Sequence, residues 1–291
     1  MNSTVEQRLL RLHYIYPVPW NRIRRLFEID PNLEKLAANN PEQLSRLLNI
    51  TQRKAGQISA RLQELDHTPF DLLYGREGIT PIPFTHPHYP QNLKRLIDPP
   101  SVLYAKGDVS LLHHSAKIAI IGSRKATDYS RQALSFITPP LVKHGVVIVS
   151  GLARGADAFA HEAAMTYGGK TIAVLGSGHF HVYPKENAEL ALRIEKDHLL
   201  LTEYPPYVQP AKWTFPMRNR IISGLSDAVV VTESAEKSGT MSTVDHALDH
   251  GKAVYAVPGP ITSPLSMGPN KLIDEGAKPV WNGFQIVENT L

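Results

Sequence analysis

The chain has 291 residues, a formal net charge of +4 and no cysteine. That length holds a full core and suggests two domains. The absence of thiols excludes disulfides and thiolate metal sites, and no apolar run reaches the ~20 residues needed to span a membrane. The opening residues do not lead into the apolar region of a signal peptide, so a reducing cytoplasmic location is expected. Residues 1–66 carry 10 basic and 7 acidic side chains, leaving 21 and 20 elsewhere. So mild an excess does not by itself indicate nucleic acid, and the placement of the cations must decide.

Residues 1 to about 70 read as a small helical domain. Arg8–Tyr14 opens a helix with Leu9, Leu10 and Leu12, and Trp20–Phe27 gives a second. Asp30-Pro31 and Asn40-Pro41 are helix-start signals, and Thr51 caps a last helix carrying Ala55, Ile58, Leu62 and Leu65. Seven prolines between residues 67 and 100 argue for an extended connector, with a short helix after Pro90. Ser101–Asp108 reads as an extra strand with a turn, and the domain boundary falls near residue 70, giving domains 1–70 and 71–291.

A repeating pattern then begins. Lys117–Ile121 is an unbroken apolar run ending in Gly122-Ser123-Arg124, the signature of a strand buried on both faces. Val146–Ser150, Thr171–Leu175, Leu199–Glu203, Asp227–Glu233 and Ala253–Gly259 repeat it, separated by helix-like segments. The reading is an α/β class: a doubly wound, mostly parallel, extended Rossmann-like sheet preceded by the helical domain. Thr127 or Asp128 caps the first crossover helix, and Pro140 is expected to end or kink it. Asn270–Glu275 reads as a short helix and Ala277–Val287 as a final edge strand.

Several chemistries are excluded by spacing. Gly176-Ser-Gly178 lacks the third glycine of a dinucleotide fingerprint, since position 181 is His. No Gly-Lys-Ser/Thr phosphate loop occurs. His161-Glu-Ala-Ala-Met165 lacks the second His of a zinc-protease helix, while His179/His181 and His113/His114 have no third ligand at a telling spacing. No metal or cofactor is expected. Ser123, Ser150 and Ser177 follow strands but lie outside Gly-x-Ser-x-Gly. Ser238-Gly239-Thr240 is like the phosphate turn of nucleotide-cleaving enzymes, with Asp245 the nearest carboxylate; glycosidase activity stays open as the rival reading.

Lys212–Arg220 places three cations, two aromatics and an amide in nine residues. Arginines at a helix start suit phosphate, and an adjacent aromatic suits a stacked base. The alternative is a surface turn with Phe215 in the core and the arginines paired to Glu203 or Asp227. With Arg124 and Arg154 at other strand exits, the cluster points to a basic groove along one sheet edge.

These residues carry a resemblance to the DprA/Smf family of bacterial DNA-processing proteins of natural transformation. It runs over about residues 80–277, through Ile120–Arg124, Ser150–Gly155 with Asp157 and His161, Tyr183-Pro184, Phe215–Ile221, Ser238–Thr240 and Val257–Gly259. The resemblance implies binding of single-stranded DNA, a homodimer, no catalysis, and loading of the recombinase RecA, with single-strand-binding protein as a further partner. It implies that the strand lies over Arg124, Lys212 and Phe215. It also implies that the N-terminal part is sterile-alpha-motif-like or helix-hairpin-helix-like. Many members carry a C-terminal winged helix, for which the chain stops too soon at Leu291. Gly122, Gly151, Gly155, Gly176 and Gly178 are then expected to admit phosphates closely. Arg124, Arg154, Lys185, Lys212, Arg218 and Arg220 would supply charge, and Phe215 a stacking face. Ser123 and Asn219 would fix loops or bond the backbone, and Ser238 and Gly239 are counted among the DNA-binding residues. Val244, Ala247 and Leu248, on one face of the helix over 240–250, form the expected dimer surface.

Overall fold

A computed structural model describes residues 4–290, in two compact units. The first spans the N-terminal helices to Ala105, with Glu203–Pro205. Helix α1 (Val5–Ile15) opens on a reciprocal cap between Thr4 and Gln7. Trp20–Arg22 forms a 3-10 turn before α2 (Arg24–Ile29), so the single helix expected from Trp20 to Phe27 is divided. The tighter Ile23 N–H to Trp20 carbonyl bond, 3.0 Å, marks the break. Asp30-Pro31 starts no helix. The Asp30 carboxylate accepts from the Lys35 N–H (2.6 Å), beyond the two or three residues a cap reaches, and Leu33 sits at φ 53. Helix α3 (Pro41–Leu48) is capped by Asn40 and α4 (Gln52–Glu64) by Thr51, as the sequence predicts.

The connector is more ordered than its prolines suggest. It holds α5 (Phe70–Arg76), β1 (Ile79–Pro83) and α6 (Gln91–Lys94) before β2 (Val102–Gly107). Phe70, Tyr74, Ile79 and Tyr104 pack into the same core as Leu9, Leu12, Leu44, Ile58 and Leu62. The apolar core of the helical bundle thus continues well past residue 70.

The second unit carries seven parallel strands: β3 (Lys117–Ile121), β4 (Val147–Ser150), β5 (Lys170–Val174), β6 (Leu199–Thr202), β7 (Ala228–Val231), β8 (Ala253–Ala256) and β9 (Lys278–Pro279). Their order is β6-β5-β4-β3-β7-β8-β9. In the centre Ala119 is in register with Val149 and Val229. The chain winds outward from β3 in one direction and from β7 in the other. Right-handed crossovers therefore put α7 (Asp128–Lys143), α8 (Ala156–Thr166) and α9 (Ala188–Asp197) on one face. They put α10 (Thr214–Leu225) and α11 (Gly239–Asp249) on the other. This is the doubly wound α/β sheet read from the sequence.

Two expectations fail here. Helix α7 continues through Pro139 and Pro140. The Phe136 carbonyl, which loses its partner to Pro140, accepts from the Gly283 N–H at 3.3 Å, so the missing donor is replaced from outside the helix. The segment after Ala277 yields only the two residues of β9, then turns into α13 (Phe284–Thr290), which packs on α7. Helix α12 (Met267–Asp274) begins three residues before Asn270. No helix among the described residues is long and apolar enough to cross a membrane.

Each unit buries a neutral histidine. His13 bonds the Tyr104 hydroxyl at 3.0 Å and His161 bonds Thr171 Oγ1 at 2.7 Å, and burial pushes both down to about 3. An unfolded chain takes up these protons near pH 6.5; the folded one does not until about pH 3. Stability is therefore lost as pH falls below 6.5, by about 1.4 kcal/mol per pH unit for each histidine. Depressed His198, His246 and His250 act in the same direction. Urea unfolding at pH 5 should show each unit about 2 kcal/mol weaker than at pH 7. Equal midpoints at the two pH values would refute the assignment.

Candidate nucleic-acid interface

The winding direction reverses between β3 and β7, and the carboxyl ends of parallel strands open a crevice at such a point. Here it is a cleft of about 630 Å³, lined by the turn after β3, the loop after β4, and the N-terminal turns of α10 and α11. Its walls are held from beneath. Glu233, 2% exposed at the end of β7, accepts from the Thr127 N–H (2.7 Å), Thr127 Oγ1 (2.9 Å) and Ser130 Oγ (2.8 Å). Its own carbonyl accepts from the Ser123 N–H at 2.6 Å. One residue, through its carbonyl and its carboxylate, thereby joins the β3 turn to the start of α7. Sequence reading gave Glu233 no role; an acidic residue closing a fully apolar strand was the available signal.

Arg218 lies in the middle of α10, not at its start, and is 4% exposed. Its guanidinium donates to the Gly151 carbonyl, to the Val174 carbonyl (2.6 Å) and to Asn219 Oδ1 (3.1 Å). Asp157 beside it accepts from the N–H of Gly151 (3.1 Å) and of Ala153 (3.3 Å). Burial pushes the Asp157 carboxyl up, while Arg218 and these N–H groups pull it down. Arg220 is also 4% exposed and donates to the Met217 carbonyl at 2.5 Å. The expectation that both arginines face phosphate is corrected. They are framework cations, because α10 is buried on every side from Arg218 to Leu225.

The glycines are corrected in the same way. A Cβ on Gly122 would lie 2.7 Å from Ala156 Cβ and from Thr232 Oγ1. One on Gly151 would enter the Arg218 guanidinium, and one on Gly176 would lie 2.7 Å from the Phe215 ring. Gly155 combines φ +70 with contact against the Ser123 carbonyl. All four make room for the protein's own atoms, and of them Gly122 also lines the cleft. The Gly178 N–H donates to the Val208 carbonyl at 2.8 Å. Gly239 differs: nothing lies within 4 Å of an added Cβ, and it stands exposed at the cleft.

What the cleft exposes is narrower than the expected set. Arg124 is exposed, and its guanidinium lies over the ring of half-buried Phe215, 5.6 Å from the centroid. Tyr183, 45% exposed, has its ring 5.5 Å from that of Phe215. Lys212 is exposed on the same rim. Lys185 is exposed, and Arg154 pairs with Glu186 on the surface. Ser123 Oγ accepts from the Lys125 N–H (3.0 Å), and Asn219 reaches the Gly239 carbonyl at 3.5 Å, so both hold loops. Ser238 Oγ bonds Ser234 Oγ at 2.7 Å. Among the described residues, no group of three or more His, Cys, Asp or Glu is placed to hold a metal.

The expected dimer surface also needs correction. Val244 and Ala247 are 2% and 0% exposed, and only Leu248, at 60%, faces outward. Helix α11 packs on α10, so its apolar face is spent inside the monomer.

Arg218→Ala should destabilise the protein by about 3–5 kcal/mol, since it strands a buried carboxylate. Arg124→Ala should stay within about 0.5 kcal/mol of the parent. Denaturant midpoints would separate the two roles, and an Arg218→Ala protein as stable as the parent would overturn the framework assignment.

Comparison with known proteins agrees with this architecture. The family model described as DNA recombination-mediator protein A matches residues 80–291. The DNA processing protein DprA of Bacillus subtilis is 47% identical over 215 residues, covering 74% of this chain and 72% of its own. DprA of Streptococcus pneumoniae is 44% identical over 199 residues, covering 68% and 70%. The solved structure of the Streptococcus pneumoniae protein superposes with a TM-score of 0.83 at 33% identity, covering 100% of this chain and 99% of that one. DprA of Helicobacter pylori, whose structure concerns its single-stranded DNA binding mode, gives 0.65 at 33% identity over 72% and 94%. On these matches and this fold, the chain belongs to the DNA recombination-mediator protein A family.

Proposed function

We propose that this protein binds single-stranded DNA at the carboxyl end of its parallel sheet, without catalysis, and acts on strands taken up in natural transformation. The observation that carries the reading is the exposed Arg124 guanidinium set over the Phe215 ring inside the cleft. A cation beside a half-buried aromatic ring meets the two needs of single-strand binding, a phosphate contact and a stacking platform. Lys212 on the rim extends the positive track. The single-strand binding of the Helicobacter pylori relative supports the same chemistry here.

The rival reading, a nucleotide glycosidase, needs an available carboxylate. The carboxylate lining the cleft is Asp157, which is buried and bonded to two backbone N–H groups. It lacks the freedom to attack a sugar or activate water, which favours the binding role.

On this reading the protein protects incoming strands and hands them to RecA, with single-strand-binding protein as a competing partner, and it works in the cytoplasm as a homodimer. The RecA, dimer and location elements rest on family membership. Exposed Leu248 is the part of the α11 surface left for self-association. Leu248→Glu should give a folded monomer by light scattering, whereas Val244→Glu should unfold the α/β unit. A dimeric Leu248→Glu protein would move the interface elsewhere.

Arg124 and Phe215 should fail in different ways when replaced. Loss of one phosphate contact lowers the slope of log affinity against log salt by about 0.7 for single strands. Loss of one stacked base costs about 1–3 kcal/mol and leaves the slope nearly unchanged. Titration of fluorescent oligonucleotide across a salt series, with thermal melts alongside, should show Arg124→Ala weakened most at low salt and Phe215→Ala weakened throughout. Wild-type binding to duplex as strong as to single strands would contradict the proposal.

A further inference from the structure

Tyr183 meets Phe215 at the cleft. It sits at the end of the loop that leaves β5, and that loop is heavily bonded. Ser177 Oγ donates to the His181 carbonyl at 2.6 Å and the His181 N–H to the Gly178 carbonyl at 3.0 Å. Backbone N–H groups of Gly178 and Phe180 donate to the carbonyls of Val208 (2.8 Å) and Pro206 (3.1 Å). The loop therefore presents the ring from a fixed base, at little ordering cost to a ligand. The ring is 45% exposed and lines the same cleft as Phe215, Arg124 and Lys212.

The geometry points to Tyr183 as a second base platform, which with Phe215 unstacks the strand between two neighbouring nucleotides. This inference rests on the proposed single-strand binding and deepens it. The two rings are 5.5 Å apart and inclined at 53°. Bases lying flat on both are inclined to each other by a similar angle. Neighbouring bases in a stacked strand are close to parallel, so the strand must open at this step to use both rings. A strand that stacks weakly opens at less cost. Sequence preference in such proteins follows stacking strength and backbone flexibility rather than base-edge hydrogen bonds. The site therefore favours oligo-dT, which stacks weakly, over oligo-dA, which stacks strongly, without reading any base edge.

The test compares oligo-dT and oligo-dA of equal length by fluorescence anisotropy, for wild type, Tyr183→Phe, Tyr183→Leu and Tyr183→Ala. Thermal melts establish folding, and the leucine variant keeps the apolar bulk while removing the flat ring. Wild type and Tyr183→Phe should bind oligo-dT the more tightly. Tyr183→Leu and Tyr183→Ala should lose roughly 5- to 150-fold on oligo-dT, the span of one stacked base. They should lose less on oligo-dA, so that the dT/dA ratio falls toward one. The salt slope should not change, because no phosphate contact is removed. Folded Tyr183→Leu that binds oligo-dT as well as wild type, or that loses equally on both strands, would overturn the second platform while leaving the single-strand reading intact. Failure of wild type to bind either strand would instead overturn that reading, and this inference with it.

Discussion

The guanidinium of Arg218 is the interaction on which the cleft depends. It reaches from α10 to the carbonyls of Gly151 and Val174, at the exits of two adjacent strands, beside the buried carboxylate of Asp157. A cation so far from water is tolerated because its donors meet carbonyl oxygens while the charge of Asp157 acts on it from nearby. The arrangement demands a glycine at 151, since a Cβ there would occupy the guanidinium's place. It also fixes how far α10 stands from the sheet, and α10 carries Phe215 one turn earlier. The position of the aromatic platform thus follows from a buried polar contact rather than from surface packing.

A division of labour among cations results. Arg218 and Arg220, in the enclosed part of α10, build the framework, while Arg124 and Lys212 on the rim keep their charge in solvent. Long-range attraction of a polyanion needs exposed charge, and a framework needs charge that cannot move. Glu233 does for the β3 turn what Arg218 does for the β4 and β5 exits, by holding the Thr127 and Ser130 hydroxyls at the head of α7. Both sides of the switch point are therefore set by buried charged groups whose hydrogen-bonding atoms are engaged by the protein itself. The charged and aromatic surface offered to a ligand is then small: the guanidinium of Arg124, the ammoniums of Lys125 and Lys212, and two rings.

The architecture was legible in the sequence because fully buried parallel strands write themselves as continuous apolar runs. Lys117–Ile121, Val146–Ser150 and Asp227–Glu233 needed no partner information to be recognised. Helix caps at Asn40 and Thr51 were legible for a similar reason: the capping bond is local. Local rules failed where a distant group supplied what the sequence lacked. Pro140 does not end α7 because Gly283, far along the chain, provides the missing donor. The prolines of the connector do not prevent Phe70, Tyr74 and Tyr104 from joining the helical core.

Composition and spacing by themselves determined the fold class, the strand exits where a ligand would meet the sheet, and the pairing of basic and aromatic residues in Lys212–Arg220. Tertiary structure alone decided which of those residues face outward. Arg218 and Arg220 read as members of the same basic cluster as Lys212, yet Lys212 lies exposed ahead of α10 and both arginines lie where α10 is buried on every side. The glycines of the strand exits give the same lesson, since a missing Cβ does not record whether the neighbour it admits is a phosphate or the protein's own side chain. Burial belongs to the packed helix and sheet, not to the residue: Val244 and Ala247 lie within the monomer while Leu248, the next residue, stands in water.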